Sequence, residues 1–170
     1  MTRGTFDQAW LHALLAACGG FLIATLWFDL MFDVQVLGHP AAPALLPEAV
    51  LASIGYYYRR VTTDAHPMQR LIGVVMAVTV LGSAWTLRHA WRRRLHGLAL
   101  VTAAVPIGLA GARVLPHAVQ LGSLVDSAAT QSALARAIFA DHVFCLAAMA
   151  GFTAIEIGLA TDCSRPVADR

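Results

Sequence analysis

Carboxylates and histidines lie near the ends of long apolar stretches in this sequence. Asp29 and Asp33 are four residues apart, and therefore on one helix face, at the end of the first stretch. His117 ends the third stretch, and Asp141 and His142 lie near the start of the fourth. These side-chain types transfer protons or bind transition metals. We therefore interpret all five as candidate catalytic residues.

Arginines and tyrosines lie close to the same positions. Arg113 precedes His117 by four residues, and Arg70 lies near the start of the second stretch. A guanidinium group is planar and binds anionic groups through two parallel hydrogen bonds. We predict that Arg70, Arg113, Tyr57 and Tyr58 bind a substrate, with the tyrosines at its entrance.

The chemistry of this polar cluster has several interpretations. In a structural network, Asp29 and Asp141 would pair with Arg113 and Arg70. In a transition-metal site, the ligands would be Asp29, Asp141, His117 and His142, although the sequence has no HxxxH or HExxH spacing. In a metal-free acid–base site, a quinone or a lipid headgroup would exchange a proton with His142 or an aspartate. A haem bridged by His117 and His142 is the last alternative.

The composition of the chain indicates whether it folds in water or in a membrane. Of the 170 residues, 58% are hydrophobic and 13% are charged, and all 12 positive side chains are arginines. A typical soluble domain is about one quarter charged. This excludes a soluble enzyme, and a net charge of +2 gives no basic surface for nucleic acid. We predict an all-α polytopic membrane protein.

Four stretches have the roughly 20 apolar residues that a helix needs to cross a membrane. They predict a four-helix transmembrane bundle, a single domain over residues 1–170. The predicted spans are 9–32, 67–87, 97–117 and 138–160.

The long connection between the first two spans predicts one further helix. Pro47 suits a first helical turn, and apolar residues recur at helical spacing over about 47–62. We interpret this segment as a short amphipathic helix in the first outer loop. It would lie on the membrane surface or, equally, cap the bundle as a lid.

The arginines predict the orientation. Arg88 and Arg92–Arg94 crowd the short loop between the second and third spans, and such loops face the cytoplasm. Both termini, with Arg3, Arg165 and Arg170, would then be cytoplasmic, with Trp10, Trp85 and Trp91 in the inner aromatic belt. We expect a protein of the bacterial cytoplasmic membrane whose polar cluster faces outward.

Small residues predict which spans pack closely. They recur four apart in the third and fourth spans, and closely packed membrane helices use such stripes. In the inner half, Glu156 is expected to pair with an arginine, and His12 is the other ionisable group. The two stripes are Ala104, Gly108 and Ala112, and Ala150, Ala154 and Gly158.

The chain is similar in size and span number to small four-helix membrane thiol oxidoreductases, which use paired outer cysteines. Cys18, Cys145 and Cys163 are far apart and form no CxxC motif. The similarity therefore covers the layout alone, and we expect three reduced cysteines.

Two classes of function follow. The first is a small membrane protein that binds or converts an amphipathic or redox molecule, quinone-like or lipid-like, at its outer helix ends. The second is a non-catalytic accessory or assembly subunit, in which the polar cluster is structural. The expected partners are membrane lipids, an amphipathic small molecule, and other proteins or a second copy of the chain.

Overall fold

The computed structural model describes residues 3–90 and 93–164, and in that part of the chain it contains helices but no β-strand. Trp91, Arg92, Arg165 and Arg170, which the orientation argument used, lie outside the described residues. A 3-10 turn, Val34–Gly38, follows the first helix, and two π-helical segments, Arg60–Asp64 and Ala110–Val114, link later helices. The α-helices are α1 (Arg3–Asp33), α2 (Glu48–Arg59), α3 (His66–Arg88), α4 (Arg93–Leu109), α5 (Leu115–Ser123) and α6 (Ala128–Ser164).

Four helical segments are long and apolar enough to cross a membrane, which confirms the all-helical class and the number of candidate spans. The third segment combines α4, the π-helical segment and α5, and it continues beyond the predicted residue 117. The fourth helix begins at Ala128, ahead of the predicted residue 138. The segments are Gln8–Gly38, His66–Arg88, Arg93–Ser123 and Ala128–Cys163.

The helices expose apolar side chains and bury polar ones. Trp27 and Leu81 are 61% and 69% exposed. On α3 the fully buried residues are Thr79, Ser83 and Thr86, while Ile72, Val75 and Met76 pack half-buried against the apolar core. A protein folded in water shows the opposite distribution, whereas an apolar solvent favours this one.

Helices α1 and α6 run antiparallel and form the most extensive helix pair. Their facing residues alternate spacings of three and four, the heptad pattern of helices that pack along a shared seam. Gly19 faces Phe152 and Thr153 so closely that a Cβ would displace them. We call this contact the α1–α6 seam. Its residues are His12, Leu15, Gly19, Leu22, Leu26, Asp29, Asp33 and Val36 on α1, and Ile138, His142, Cys145, Met149, Phe152, Glu156 and Leu159 on α6.

The α4–α6 pair is in contact, but the prediction that it is the most closely packed pair is wrong, because α1 and α6 form the more extensive contact. The predicted faces are wrong as well. Ala99 and Ala103 of α4 share a buried cluster with Met149 and Phe152 of α6. The large seam residues of α6 thus contact α4 as well as α1, and the small-residue face of α6 is turned away. The exposed small residues are Gly108, Ala112, Ala150, Ala154 and Gly158.

Helix α2 packs over the helix ends as a lid, the second of its two expected placements. We call this the α2 end, and the opposite end, where α3 and α4 are joined, the loop end. Gly122 of α5 permits the approach, because a Cβ there would lie 2.7 Å from the Arg59 backbone nitrogen. The apolar core beneath α2 contains Leu51, Ile54, Tyr58, Ala118, Leu121, Leu134 and Ile138.

The segment that leads into α2 is tied to α6. Arg136 donates hydrogen bonds to the carbonyls of Ala44 and Pro40, at 2.8 and 2.6 Å. The Leu46 backbone nitrogen donates to the Ser132 hydroxyl at 3.0 Å. These contacts fix the position from which α2 starts.

Candidate functional site

Three ionisable side chains meet at the α2 end of the seam. His142 Nδ1 lies 2.6 Å from Asp33 Oδ2, a hydrogen-bond distance, and Nε2 lies 3.9 Å from Asp29 Oδ2, an ion-pair distance. Asp33 is 0% exposed and His142 is 4% exposed. We call Asp29, Asp33 and His142 the Asp–His centre. Because each ring nitrogen faces a carboxylate, His142 can hold a proton on either side.

Two tyrosines of α2 supply the remaining donors of the centre. The Tyr57 hydroxyl donates to Asp29 Oδ1 at 2.6 Å, and the Tyr58 hydroxyl donates to Asp33 Oδ1 at 2.7 Å. Burial raises the pKa of both tyrosines above the usual value, and the neighbouring carboxylates raise it further. Both phenols are therefore neutral donors near neutral pH.

Arg113 and Asp141 form a separate pair. Arg113 Nε lies 2.9 Å from Asp141 Oδ2, and the arginine side chain is half exposed. Asp141 Oδ2 has no aligned hydrogen-bond partner in the described part of the chain, so the contact is chiefly electrostatic. The expected pairing of Asp29 with an arginine is replaced by its contacts to Tyr57 and His142. Arg70 is exposed at the start of α3.

The described residues give no support to the metal and haem interpretations. In the described residues, no group of three or more His, Cys, Asp or Glu side chains is arranged to hold a metal ion. The ring nitrogens of His142 contact Asp33 and Asp29, so neither nitrogen is turned toward an open ligand position. His117 is half-buried on α5, and its Nδ1 has no hydrogen-bond partner among the described residues.

An open cleft of about 490 Å³ adjoins the centre. Its walls come from the end of α1, from α2 and from the π-helical segment that follows. Tyr57 lines the cleft and also donates to the centre. Two arginines, Arg59 and Arg60, line the cleft beside one carboxylate, Asp64. We call it the α2 cleft. The sequence interpretation missed these arginines, although they directly follow the three tyrosines. Its lining is Phe32, Ser53, Tyr56, Tyr57, Arg59, Arg60 and Asp64.

A second ionisable cluster lies at the loop end of the seam. His12 Nδ1 is 2.7 Å from Glu156 Oε2, and the two residues are 3% and 0% exposed. The ring of His96, from α4, meets the His12 ring edge-on with centroids 5.2 Å apart. We expected an arginine beside Glu156, and for Oε2 this prediction is wrong, because the partner of that oxygen is His12. We call His12, His96 and Glu156 the loop-end cluster.

Comparison of the chain with family models, with curated proteins and with solved structures finds no match in any of the three. Function is therefore inferred from the geometry of these side chains.

Proposed function

We propose that this protein is an integral membrane protein that binds a small amphipathic molecule in the α2 cleft. Through the Asp–His centre it would exchange a proton with the polar headgroup of that molecule, which would be lipid-like or quinone-like. The observation that carries this proposal is the position of Tyr57. Its side chain lines the cleft, while its hydroxyl donates to Asp29 at 2.6 Å.

The lining of the cleft supports an amphipathic ligand. Arg59 and Arg60 offer guanidinium groups that bind phosphate, carboxylate or carbonyl oxygens. Phe32 and Tyr56 offer aromatic surface for an apolar portion, and both are exposed. A cleft with a few polar groups and aromatic walls is a common form of small-molecule site. Because it lies at the ends of apolar helices, a ligand could enter from the lipid headgroup region.

The proton-exchange step follows the contacts of the centre. As an O–H bond of the headgroup breaks, an O–H bond forms on Asp29, assisted by the Tyr57 hydroxyl. Asp29 faces Nε2 of His142 at 3.9 Å, and Nδ1 faces Asp33 at 2.6 Å. A proton taken up by the ring on one side can therefore be released to Asp33 on the other. The step transfers a proton and no electrons.

We also propose the placement in the membrane. The four spanning helices would form one transmembrane bundle, with α2 as its lid. An even number of crossings puts both termini on the same side. Arg88, Arg93 and Arg94 crowd the loop end, which favours a cytoplasmic location for that end and for both termini.

Binding can be measured on the full chain in detergent with two probes whose headgroups carry an exchangeable O–H bond, a short-chain phosphatidic acid and a short-chain ubiquinol. We expect one probe to bind, and the double variant Arg59→Ala/Arg60→Ala to weaken its affinity about tenfold or more, the loss of roughly one charge-assisted hydrogen bond. Arg88→Ala is the matched control, since Arg88 is exposed at the other end of the molecule. Absence of binding by both probes, or equal weakening by Arg88→Ala, would refute the cleft as the site.

Calorimetry in buffers of different ionisation enthalpy tests the proton-exchange step. With the native chain, we expect the apparent binding enthalpy to depend on the buffer, because a proton is released or taken up. Asp29→Asn keeps the size of the side chain but cannot accept a proton. It should bind the probe with an enthalpy that is independent of the buffer. The same buffer dependence in Asp29→Asn would show that the centre does not exchange the proton.

One observation favours the second candidate, an accessory subunit. The small residues of α6 are exposed, and no atom comes within 4 Å of the Cβ position of Gly151 or Gly158. Such a face allows another helix to approach closely. If this is the main role, Ala154→Leu will change the size of the assembly extracted in mild detergent. The double variant Arg59→Ala/Arg60→Ala will leave that size unchanged.

A further inference from the structure

The loop-end cluster contains a buried carboxylate of which only one oxygen has a hydrogen-bond partner among the described residues. Glu156 is 0% exposed, and its Oε2 lies 2.7 Å from His12 Nδ1. Its other oxygen, Oε1, is buried and has no hydrogen-bond partner in the described part of the chain. A charged oxygen in such a place loses its hydration without compensation. A proton on Glu156 removes that charge, so the site is built to hold one.

The surroundings restrict what else could neutralise Glu156. Helix α4 brings His96, whose ring meets that of His12 edge-on. Helix α3 contributes hydroxyls in its buried face, and those of Thr79 and Ser83 donate to carbonyls of their own helix. The titratable groups that the described contacts bring together here are thus two imidazoles and one carboxyl. Arg93 and Arg94, at the start of α4, are exposed.

We propose that the loop-end cluster is a second, separate proton-binding site of this protein. His12 and Glu156 hold one proton between them across their 2.7 Å contact and release it reversibly. When that proton leaves, a carboxylate remains beside a neutral imidazole, and when it returns the site is again without net charge. No electron transfer and no other reactant is involved. The site does not depend on the α2 cleft or its ligand.

The distance between the two clusters makes this site independent of the Asp–His centre. His12 and Asp29 are separated by about 25 Å along α1, at 1.5 Å per residue. Between them the seam is apolar, with Leu15 and Leu22 facing Met149 and Phe152. A proton cannot pass along such a surface without carriers. Each cluster would therefore respond to the pH at its own end of the helices.

Isotope labelling tests this without a mutation. The chain contains two glutamates, Glu48 and Glu156, and Glu48 is exposed at the start of α2. In the full chain in lipid bilayers, carboxyl-¹³C glutamate will give two signals by solid-state NMR. We expect the Glu156 signal to move between carboxylate and carboxylic acid positions as the pH changes between about 4 and 9, separately from Glu48. A Glu156 signal that stays constant over this range would overturn the proposal.

Two variants sharpen the result. His12→Asn should move the pH of the Glu156 transition, because the shared proton is lost, while Asp29→Asn should leave it unchanged. Failure of this site is therefore distinguishable from failure of the α2-end proposal. A Glu156 signal that responds to Zn²⁺ or Na⁺ at constant pH, but not to pH, would make the cluster a metal-ion site and overturn proton binding.

Discussion

Both ends of the α1–α6 seam bury a histidine against a carboxylate, but the carboxylate oxygens of the two clusters differ in their hydrogen-bond partners. At the α2 end, both oxygens of Asp33 have partners within 2.7 Å, one from Tyr58 and one from His142. At the loop end, one oxygen of Glu156 has no partner in the described residues. The first cluster also adjoins a cleft, through Tyr57.

The difference lies in the origin of the donors. The tyrosines that donate to the Asp–His centre come from α2, which is not one of the four helical segments long enough to cross a membrane. The side chains of the loop-end cluster come from α1, α4 and α6, all of which belong to those four segments. A displacement of α2 would therefore remove donors from one cluster and leave the other intact. The Asp–His centre therefore depends on the position of α2, whereas the loop-end cluster depends only on the packing of α1, α4 and α6.

The largest expected effect is the loss of Asp33. Asp33→Ala leaves the Tyr58 hydroxyl and His142 Nδ1 buried without an acceptor, and removal of one partner of a buried pair costs about 3–5 kcal/mol. Unfolding in mixed micelles, by increasing the fraction of a denaturing detergent, measures the loss. Glu156→Gln, which keeps a hydrogen bond to His12, should cost less, about 1–2 kcal/mol. An equal loss in both variants would remove the asymmetry between the clusters.

The next largest effect is expected for a glycine that contacts α2, because its substitution should disturb the α2 end and leave the loop-end cluster unchanged. In Gly122→Ala the new Cβ would lie 2.7 and 2.9 Å from Arg59 N and Cα, so α2 must shift. We expect a cost of about 1–3 kcal/mol and weaker probe binding in the cleft, with the Glu156 NMR signal unchanged. Gly73→Ala is the control, because nothing lies within 4 Å of its Cβ position and alanine favours a helix. Unchanged probe binding in Gly122→Ala would show that the cleft does not depend on the position of α2.

Composition and hydropathy were enough to predict the all-helical class and the four helices that are long and apolar enough to cross a membrane. The pairing of Asp29 and Asp33 with His142 was only partly predictable. Their similar depth follows from the spans, but depth does not specify which helix faces touch. The alternating spacing of three and four, from His12 to Val36, contained that information, because it places His12, Asp29 and Asp33 on one face of α1.

Two features could not be predicted from the sequence. The partner of Glu156 depends on how α1 and α6 align along their axes, and the apolar residues of the seam would tolerate another alignment. The Tyr57 and Tyr58 contacts depend on the way α2 folds back over the helix ends, which is set by Gly122 and by the ties from Arg136. Those contacts join residues that are distant in sequence and leave no local pattern.

The hydroxyl of Tyr58 should give a smaller effect that depends on pH. Tyr58→Phe leaves Asp33 with one donor fewer and should cost about 1–2 kcal/mol at neutral pH. Burial raises the pKa of Tyr58 in the folded protein, so the folded state binds the phenol proton more tightly than the unfolded state. The stability from this group is present below about pH 10, the unfolded value, and is lost as the pH rises above it.

The slope of unfolding free energy against pH, measured above about pH 10, tests this linkage. The slope should be steep in the native chain and shallower in Tyr58→Phe and in Tyr57→Phe, because burial also raises the pKa of Tyr57. Tyr56→Phe is the matched control, since Tyr56 is 62% exposed. An unchanged slope in Tyr58→Phe would mean that its hydroxyl does not contact Asp33 in the folded protein.

The smallest change in stability is expected for the Arg113–Asp141 pair. Its strength tests whether the polar residues of the α2 end form a structural ion-pair network. Arg113 is half exposed, and exposed ion pairs contribute about 0–1 kcal/mol. A double-mutant cycle with Arg113→Ala and Asp141→Asn should therefore give a coupling energy in that range, and added salt should lower it. A coupling of about 3 kcal/mol or more would instead class this pair with buried ion pairs. The accessory-subunit interpretation would then gain support, because the strongest polar contact of the α2 end would be one that lies outside the cleft.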